Sequence, residues 1–285
     1  MLAFSFTLPL TRLAVGDGGD GGLSPLFIGA ARAVIAAVLA ALALAATKQH
    51  LPRGRQWIRL AVVAGGVVIG FPLLTSFALS TAPASHAAVV VGLLPAATAA
   101  VAVVRGRERP PLSFWLTAAA GAAAVVVFAA VSGGGLGALH LSDLLLFGAV
   151  LAAAAGYAEG GLLARELGAW QTVSWALVLA SPLMLCLTAA AVLREPPSGT
   201  AVQWAALAYL GVVSMFLGFF AWYRGLAIGP MSQVSQVQLV QPVLTFCWAA
   251  LLLGEHLGWV TVLGGAAVIA CAGISVRARR KQPAV

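Results

Sequence analysis

The chain has 285 residues, 61% of them hydrophobic and only 8% charged, whereas a water-soluble domain carries about a quarter charged side chains. With a mean hydropathy of +1.01, this composition excludes a soluble globular fold and describes a chain surrounded mostly by lipid. The net charge of +8 is no nucleic-acid footprint, because the basic residues sit in scattered breaks between apolar runs and form no single face.

Taken in chain order, apolar runs bounded by Gly, Pro or charge number ten: Met1 to Val15, Pro25 to Ala46, Trp57 to Leu79, Ala84 to Val104, Leu112 to Val131, Ser142 to Leu163, Trp170 to Leu193, Val202 to Tyr223, Met231 to Leu253, and Gly258 to Val276. Most are long enough to cross about 30 Å of hydrocarbon at about 1.5 Å per residue. The first is short; it lacks a basic leader and a small-residue cleavage site, and reads as a helix with a truncated start, not as a signal peptide. The runs are apolar on all sides and lack the alternation of a transmembrane strand, so they predict helices. Cys186, Cys247 and Cys271 are far apart within these runs and point to neither a disulfide framework nor a metal site.

With a cytoplasmic N-terminus, thirteen of the sixteen Lys and Arg residues fall on the inner side: Lys48, Arg53, Arg55, Arg59, Arg105, Arg107, Arg109, Arg165, Arg224, Arg277, Arg279, Arg280 and Lys281. The outer loops hold only Arg194, and the first of them carries Asp17 and Asp20. This asymmetry predicts ten crossings of the cytoplasmic membrane with both termini inside.

The chain also repeats itself. An offset of 147 residues brings Trp57 onto Trp204, Pro83 onto Pro230, Pro95 onto Pro242, Glu108 onto Glu255 and Ser85 onto Ser232. Earlier in the halves the offset drifts, with Thr11-Arg12-Leu13 matching Ala164-Arg165-Glu166. The chain divides accordingly into residues 1–138 and 139–285, each with five helices. Because five is odd, the second copy enters the membrane inverted, an arrangement suited to presenting one central site to either side in turn. The predicted fold is an all-α integral membrane protein of ten transmembrane helices in two inverted five-helix repeats.

These features resemble the EamA-type ten-helix proteins of the drug/metabolite transporter superfamily. The resemblance is carried by Phe219-Phe220-Ala221-Trp222-Tyr223-Arg224-Gly225-Leu226-Ala227, by Gln241-Pro242 through Leu252-Leu253-Gly254-Glu255, and by Pro95 to Glu108 in the first half. It implies a central cavity between the halves, lined by helices 1 to 4 and 6 to 9, with helices 5 and 10 peripheral. Two departures stand out: the first helix is short, and Arg107-Glu108-Arg109 replaces the usual Gly-Glu.

Ionisable groups within a bilayer need a partner, an aqueous cavity or a route to the interface. Arg32, about seven residues into the second run, is expected either to face a substrate carboxylate or to tie down carbonyls of a broken neighbouring helix. Phe71-Pro72 and Ser181-Pro182 interrupt their runs and are candidate bends, the first a candidate gate. His86 near an outer helix end is a secondary substrate candidate against a packing role. Glu159, in the run Tyr157-Ala158-Glu159-Gly160-Gly161, aligns with Phe6 of the other half. Such broken symmetry makes Glu159 the candidate for holding a coupling proton or an amine, with Tyr157 beside it, against an ion pair with Arg165. Trp222, Tyr223 and Arg224 read as a cytoplasmic aromatic belt or as a gate. In the ninth run, Gln236, Gln233 and Gln241 span roughly 140° of one face with Gln238 beyond them. They line a cavity for an amphipathic solute or glue the bundle. The small-residue rows Ala118 to Ala124 and Gly264 to Ala267 mark supports or a homodimer face.

The predicted function is secondary transport of a small metabolite, with export of an amino acid or related compound implied by the resemblance. There is no P-loop, so transport runs by facilitated diffusion or by coupling to a proton or other ion. The alternatives are a flippase for lipid-linked substrates and an intramembrane enzyme. Against the enzyme, the chain contains neither H-E-x-x-H nor Gly-x-Ser-x-Gly, and it calls for no cofactor. The expected partners are the lipid bilayer, a small-molecule substrate and a coupling ion, with no nucleic acid.

Overall fold

In a computed structural model of the chain, each of the ten runs contains helix and no strand occurs among the described residues, which are 1–16, 22–106, 112–132, 140–228 and 234–280. The helices are α1 (Leu2–Val15), α2 (Pro25–Ala46), α3 (Arg55–Ala78), α4 (Ala84–Arg105), α5 (Leu112–Ser132), α6 (Leu141–Leu167), α7 (Ala169–Arg194), α8 (Ala201–Ile228), α9 (a 3₁₀ turn at Ser235–Leu239 running into Val240–Leu253) and α10 (Trp259–Arg280). Six of them, α2, α3, α4, α6, α7 and α8, are long and apolar enough to cross a membrane by length and composition; the rest are shorter apolar helices.

The polar ends explain the boundaries. Ser24 accepts a hydrogen bond from Phe27 N with Pro25 at the first position of α2, and Thr200 pairs reciprocally with Gln203 to start α8. The helices run a few residues beyond several apolar runs, with α6 reaching Leu167 and α8 reaching Ile228.

Four helices depart from regular geometry. α1 is interrupted at Phe6 and α4 at Gly92-Leu93. α3 widens into a π turn at Ala64–Gly70, and α8 does the same at Leu210–Leu217. Shifted by the 147-residue offset, the first π turn falls on 211–217, inside the second. The expected interruption at Phe71-Pro72 is therefore not a stop: the wide turn precedes the proline, and helix resumes at Phe71. Ser181-Pro182 does not break α7 either, since Pro182 lies within a continuous helix.

The packing has the same two-fold pattern. α2 packs on α7, α4 on α9 and α5 on α10, while α3 on α6 is answered by α8 on α1, and α4 on α6 by α9 on α1. The small residues of α5 and α10 meet within one chain: a Cβ on Gly264 would lie 2.5 Å from Phe128, and one on Gly121 would lie 3.2 Å from Cys271.

A close backbone approach joins α3 to α6. A Cβ on Gly66 would stand 2.2 Å from the Ala152 carbonyl oxygen and 3.0 Å from Gly156 N, whereas one on Gly65 would meet nothing within 4 Å. Neither opposing backbone atom can move without displacing α6. Gly66→Val is therefore expected to lower stability by about 2–3 kcal/mol, read as a reduced melting temperature in detergent, with Gly65→Ala near wild type. Equal melting temperatures for the two variants would contradict this packing.

Candidate functional site

A central cavity, with ≈ 440 Å³ of empty space including its opening, lies between the halves. Its wall is built from Phe4 and Thr7 of α1, Arg32 of α2, Val67, Phe71 and Pro72 of α3, Ala153 and Tyr157 of α6, Leu210, Ser214, Met215 and Phe219 of α8, and Gln241 of α9. Both π turns contribute. Val67 and Ser214, and likewise Pro72 and Phe219, are 147 residues apart. Phe4 and Tyr157 are matched by the drifted offset of the first helices. None of the described lining comes from α5 or α10, in keeping with their expected peripheral place, and none comes from α4 or α7.

Arg32 is the single formal charge in this wall and is only 2% exposed. Its Nη2 donates to the Pro72 carbonyl, to Thr75 Oγ1 at 3.1 Å and to Ser76 Oγ at 3.4 Å; its Nη1 donates to Thr11 Oγ1 at 3.3 Å. Every acceptor is neutral, and Arg32 has no carboxylate partner among the described residues. Its Nε is enclosed without an acceptor. The hydroxyls continue inward, with Thr11 Oγ1 donating to the Thr7 carbonyl at 2.6 Å and Thr7 sharing a 2.7 Å hydrogen bond with Ser214. Both roles read for Arg32 thus coexist: it ties down a carbonyl of the irregular α3, and it brings a buried, uncompensated cation to the cavity.

The remaining wall is mostly apolar, with the rings of Phe4, Phe71, Tyr157 and Phe219 among aliphatic side chains. Phe219 lies edge-on to Phe4 at 5.1 Å and to Tyr157 at 6.0 Å. Gln241 lines the cavity and donates from Nε2 to the Phe4 carbonyl at 3.4 Å, while Thr245 donates to the Ser5 carbonyl at 3.0 Å. Pro9, four residues after Ser5, has no N–H to offer the Ser5 carbonyl, and α9 reaches both carbonyls from outside the helix. Gln238 is buried with no partner for its Oε1. The backbone of Gln236 is in the 3₁₀ turn, and Gln233 lies outside the described residues.

Glu159 is placed away from the cavity wall. Its carboxylate is held by Arg59 of α3 and, at 2.5 Å, by Arg105 of α4, and Arg59 also meets Glu166. The ion pair considered for Glu159 is real, but its partners are Arg59 and Arg105, not Arg165. Arg165 follows six residues later on the same helix, whereas α3 and α4 pack alongside and deliver their basic ends directly. His86 meets Asp143 at 2.6 Å and lies 5.0 Å from Phe128, also outside the wall. The belt reading of Trp222 and Tyr223 is corrected. Both are buried, Tyr223 completely, because Gly160 leaves room for the Tyr223 ring and its hydroxyl donates to the Gly156 carbonyl at 3.2 Å. Arg224 alone of that trio is exposed.

Sequence reasoning followed charge and amides, and so passed over Thr7, Ser214, Phe4 and Phe219. Their signal was the repeat itself, since three pairs of wall residues are related by it. It also left Arg59 and Arg105 as loop charges; Glu159 and Glu166, seven residues apart on one face of α6, were the mark of their partners.

Comparison with known proteins places this geometry. The sequence model of the EamA-like transporter family matches residues 1–130 and 140–277. A protein of Bacillus subtilis (strain 168), described as "Uncharacterized transporter YdeK", is 46% identical over 280 residues, covering 97% of this chain and 94% of its own. A solved structure described as "Crystal structure of protein" superposes with a TM-score of 0.62 at 19% identity over 96% of each chain, a likeness of fold.

Removing the acid from the three-helix ion cluster leaves two guanidinium groups facing one another. Glu159→Gln is expected to cost about 1–3 kcal/mol of stability, while Glu159→Asp retains most of it. Thermal unfolding of the purified variants checks this, and a fully stable Glu159→Gln protein would show that the cluster does not hold α3 and α4 to α6.

Proposed function

We propose that this chain, which belongs to the EamA-like transporter family and is a multi-pass membrane transporter, moves a small amphipathic metabolite, an amino acid or a related compound, across the cytoplasmic membrane by alternating access. The observation that supports this most is Arg32. A guanidinium buried between two repeated halves, with neutral acceptors only, is costly, and a solute carboxylate entering the cavity offsets that cost. The aromatic wall receives the apolar part of such a solute, and Gln241 and the Thr7–Ser214 pair offer uncharged hydrogen-bonding groups. Export is the direction implied by the family likeness. A lipid-linked substrate is disfavoured because Arg32 is the only basic residue in the described wall.

Alternating access requires closures on both sides, and two sets of polar contacts across the halves suit that role. One joins Arg59 and Arg105 of the first half to Glu159 and Glu166 of the second. The other joins His86 to Asp143, and the Ala84 and Ser85 N–H groups to the Glu255 carboxylate at 2.7 and 2.9 Å. They occupy opposite ends of α4 and of α6, and charge asymmetry assigns the first to the cytoplasmic side. Glu159 thus acts as a gate element, held by Arg59 and Arg105 in the closed arrangement. Phe71 and Pro72, beside the π turn of α3, supply the flexible wall.

In proteoliposomes without ATP, the protein is expected to show saturable counterflow of labelled amino acids or related carboxylates. In a background with Cys186, Cys247 and Cys271 changed to Ala, Arg59→Cys and Glu166→Cys bridged by a short, reducible bifunctional thiol reagent should stop counterflow, and reduction should restore it. Bridging without effect would remove the gate; no counterflow of any such solute would remove the transport reading.

A further inference from the structure

We infer that the cavity selects monocarboxylate anions with an aromatic or branched apolar body over zwitterionic amino acids, its Arg32 taking the carboxylate and no residue taking an ammonium group. This rests on the cavity being the transport site, as proposed above, and deepens that reading by charge arithmetic.

The described wall carries one positive charge and no acid. The nearest acid along the chain, Glu159, is two residues from Tyr157 but is engaged by two arginines at the ion cluster, and Asp143 and Glu255 are engaged at the other end. Arg32 meets four neutral oxygens and still leaves Nε without an acceptor. Side-on binding of a carboxylate uses Nε together with Nη2, so a solute anion supplies the missing acceptor of Nε and replaces one of the neutral hydroxyls now on Nη2. One negative charge makes the loaded cavity neutral.

A zwitterion brings its own cation into the same enclosure. The acceptors there are uncharged: the Gln241 amide oxygen, the Tyr157 hydroxyl, and the hydroxyls of Thr7 and Ser214, which already bond one another. An ammonium group would be left without a counter-ion and would lie near Arg32, a like charge. A cationic amine without a carboxylate suffers the repulsion with no compensation, and an uncharged amide leaves Arg32 as it was. Phe4, Phe71 and Phe219 set the apolar requirement, because they offer ring faces and edges where a short polar solute would bury only itself.

The test is a matched series with one aromatic body: 3-phenylpropionate, L-phenylalanine, 3-phenylpropanamide and phenethylamine. Ser214→Cys, in the background lacking the three native cysteines, places a thiol in the wall and leaves Arg32 intact. Protection of that thiol from a maleimide in the purified full chain reports occupancy for each probe. The expected result is half-protection by 3-phenylpropionate at a concentration at least about tenfold below that for L-phenylalanine, with the amide and amine weaker still. Arg32→Lys should keep this order with weaker protection overall, since the charge remains and the planar fork is lost. Equal or better protection by L-phenylalanine overturns the inference and leaves the cavity standing as the transport site. Protection by no probe, or by all four alike, overturns the inference together with the cavity reading.

Discussion

A helix surrounded by lipid has no water to receive a freed backbone carbonyl, so every departure from regular geometry must be answered from within the protein. That constraint organises the middle of this molecule. α1 is interrupted at Phe6, and α9 answers with Gln241 and Thr245 on the Phe4 and Ser5 carbonyls. α3 widens ahead of Pro72, and just past that turn Arg32 of α2 donates to the Pro72 carbonyl. The residues that repair these irregular helices therefore converge where the helices are irregular, and in both cases that place is the cavity wall. Polar side chains reach the cavity wall because they make these backbone contacts.

The distribution of charge separates two kinds of ionisable residue that look alike in a hydropathy profile. Glu159 and Arg32 are both buried within apolar helices. Glu159 is neutralised by Arg59 and Arg105, whose side chains reach it from the start of α3 and the end of α4. Arg32 has only hydroxyls and a carbonyl. Dipoles orient around a cation but do not cancel its field. The first arrangement is a contact between helices, the second a standing demand for an anion, and only the second lies in the cavity wall.

Much of the architecture was legible in the sequence because lipid imposes long apolar runs and charge asymmetry marks their ends. The ten helices, the repeat and the peripheral pair α5 and α10 follow from those two signals and from Pro and Trp at a constant offset. Arg32 was legible for the same reason, as a charge where charge is expensive. The rest depended on which helix lies beside which. Nothing local distinguishes Arg59 from its loop neighbours until α3 packs along α6 with Gly66 against Ala152. Tyr223 has an interfacial sequence context, yet Gly160 on another helix makes the space that buries it. The π turns are equally silent, since seven or eight apolar residues read as ordinary helix.

The repeat gives the two halves one backbone plan, and the side chains then break it. Val67 and Ser214 occupy matched positions in the two π turns, one apolar and one bonded to Thr7. Phe6, matched to Glu159, stacks on Trp248 at 4.3 Å where its counterpart meets arginines. In the alternating-access cycle proposed above, symmetry of the backbone makes the two opposite openings comparable, because each exchanges equivalent helix contacts. Asymmetry of the side chains decides what each opening must break: charge pairs among Arg59, Arg105, Glu159 and Glu166 at one end, and at the other a His86–Asp143 contact with a carboxylate on two backbone N–H groups. In the proposed cycle the two closures differ in chemistry, so a bias between openings arises from the gates alone, without any change in the cavity that both would serve.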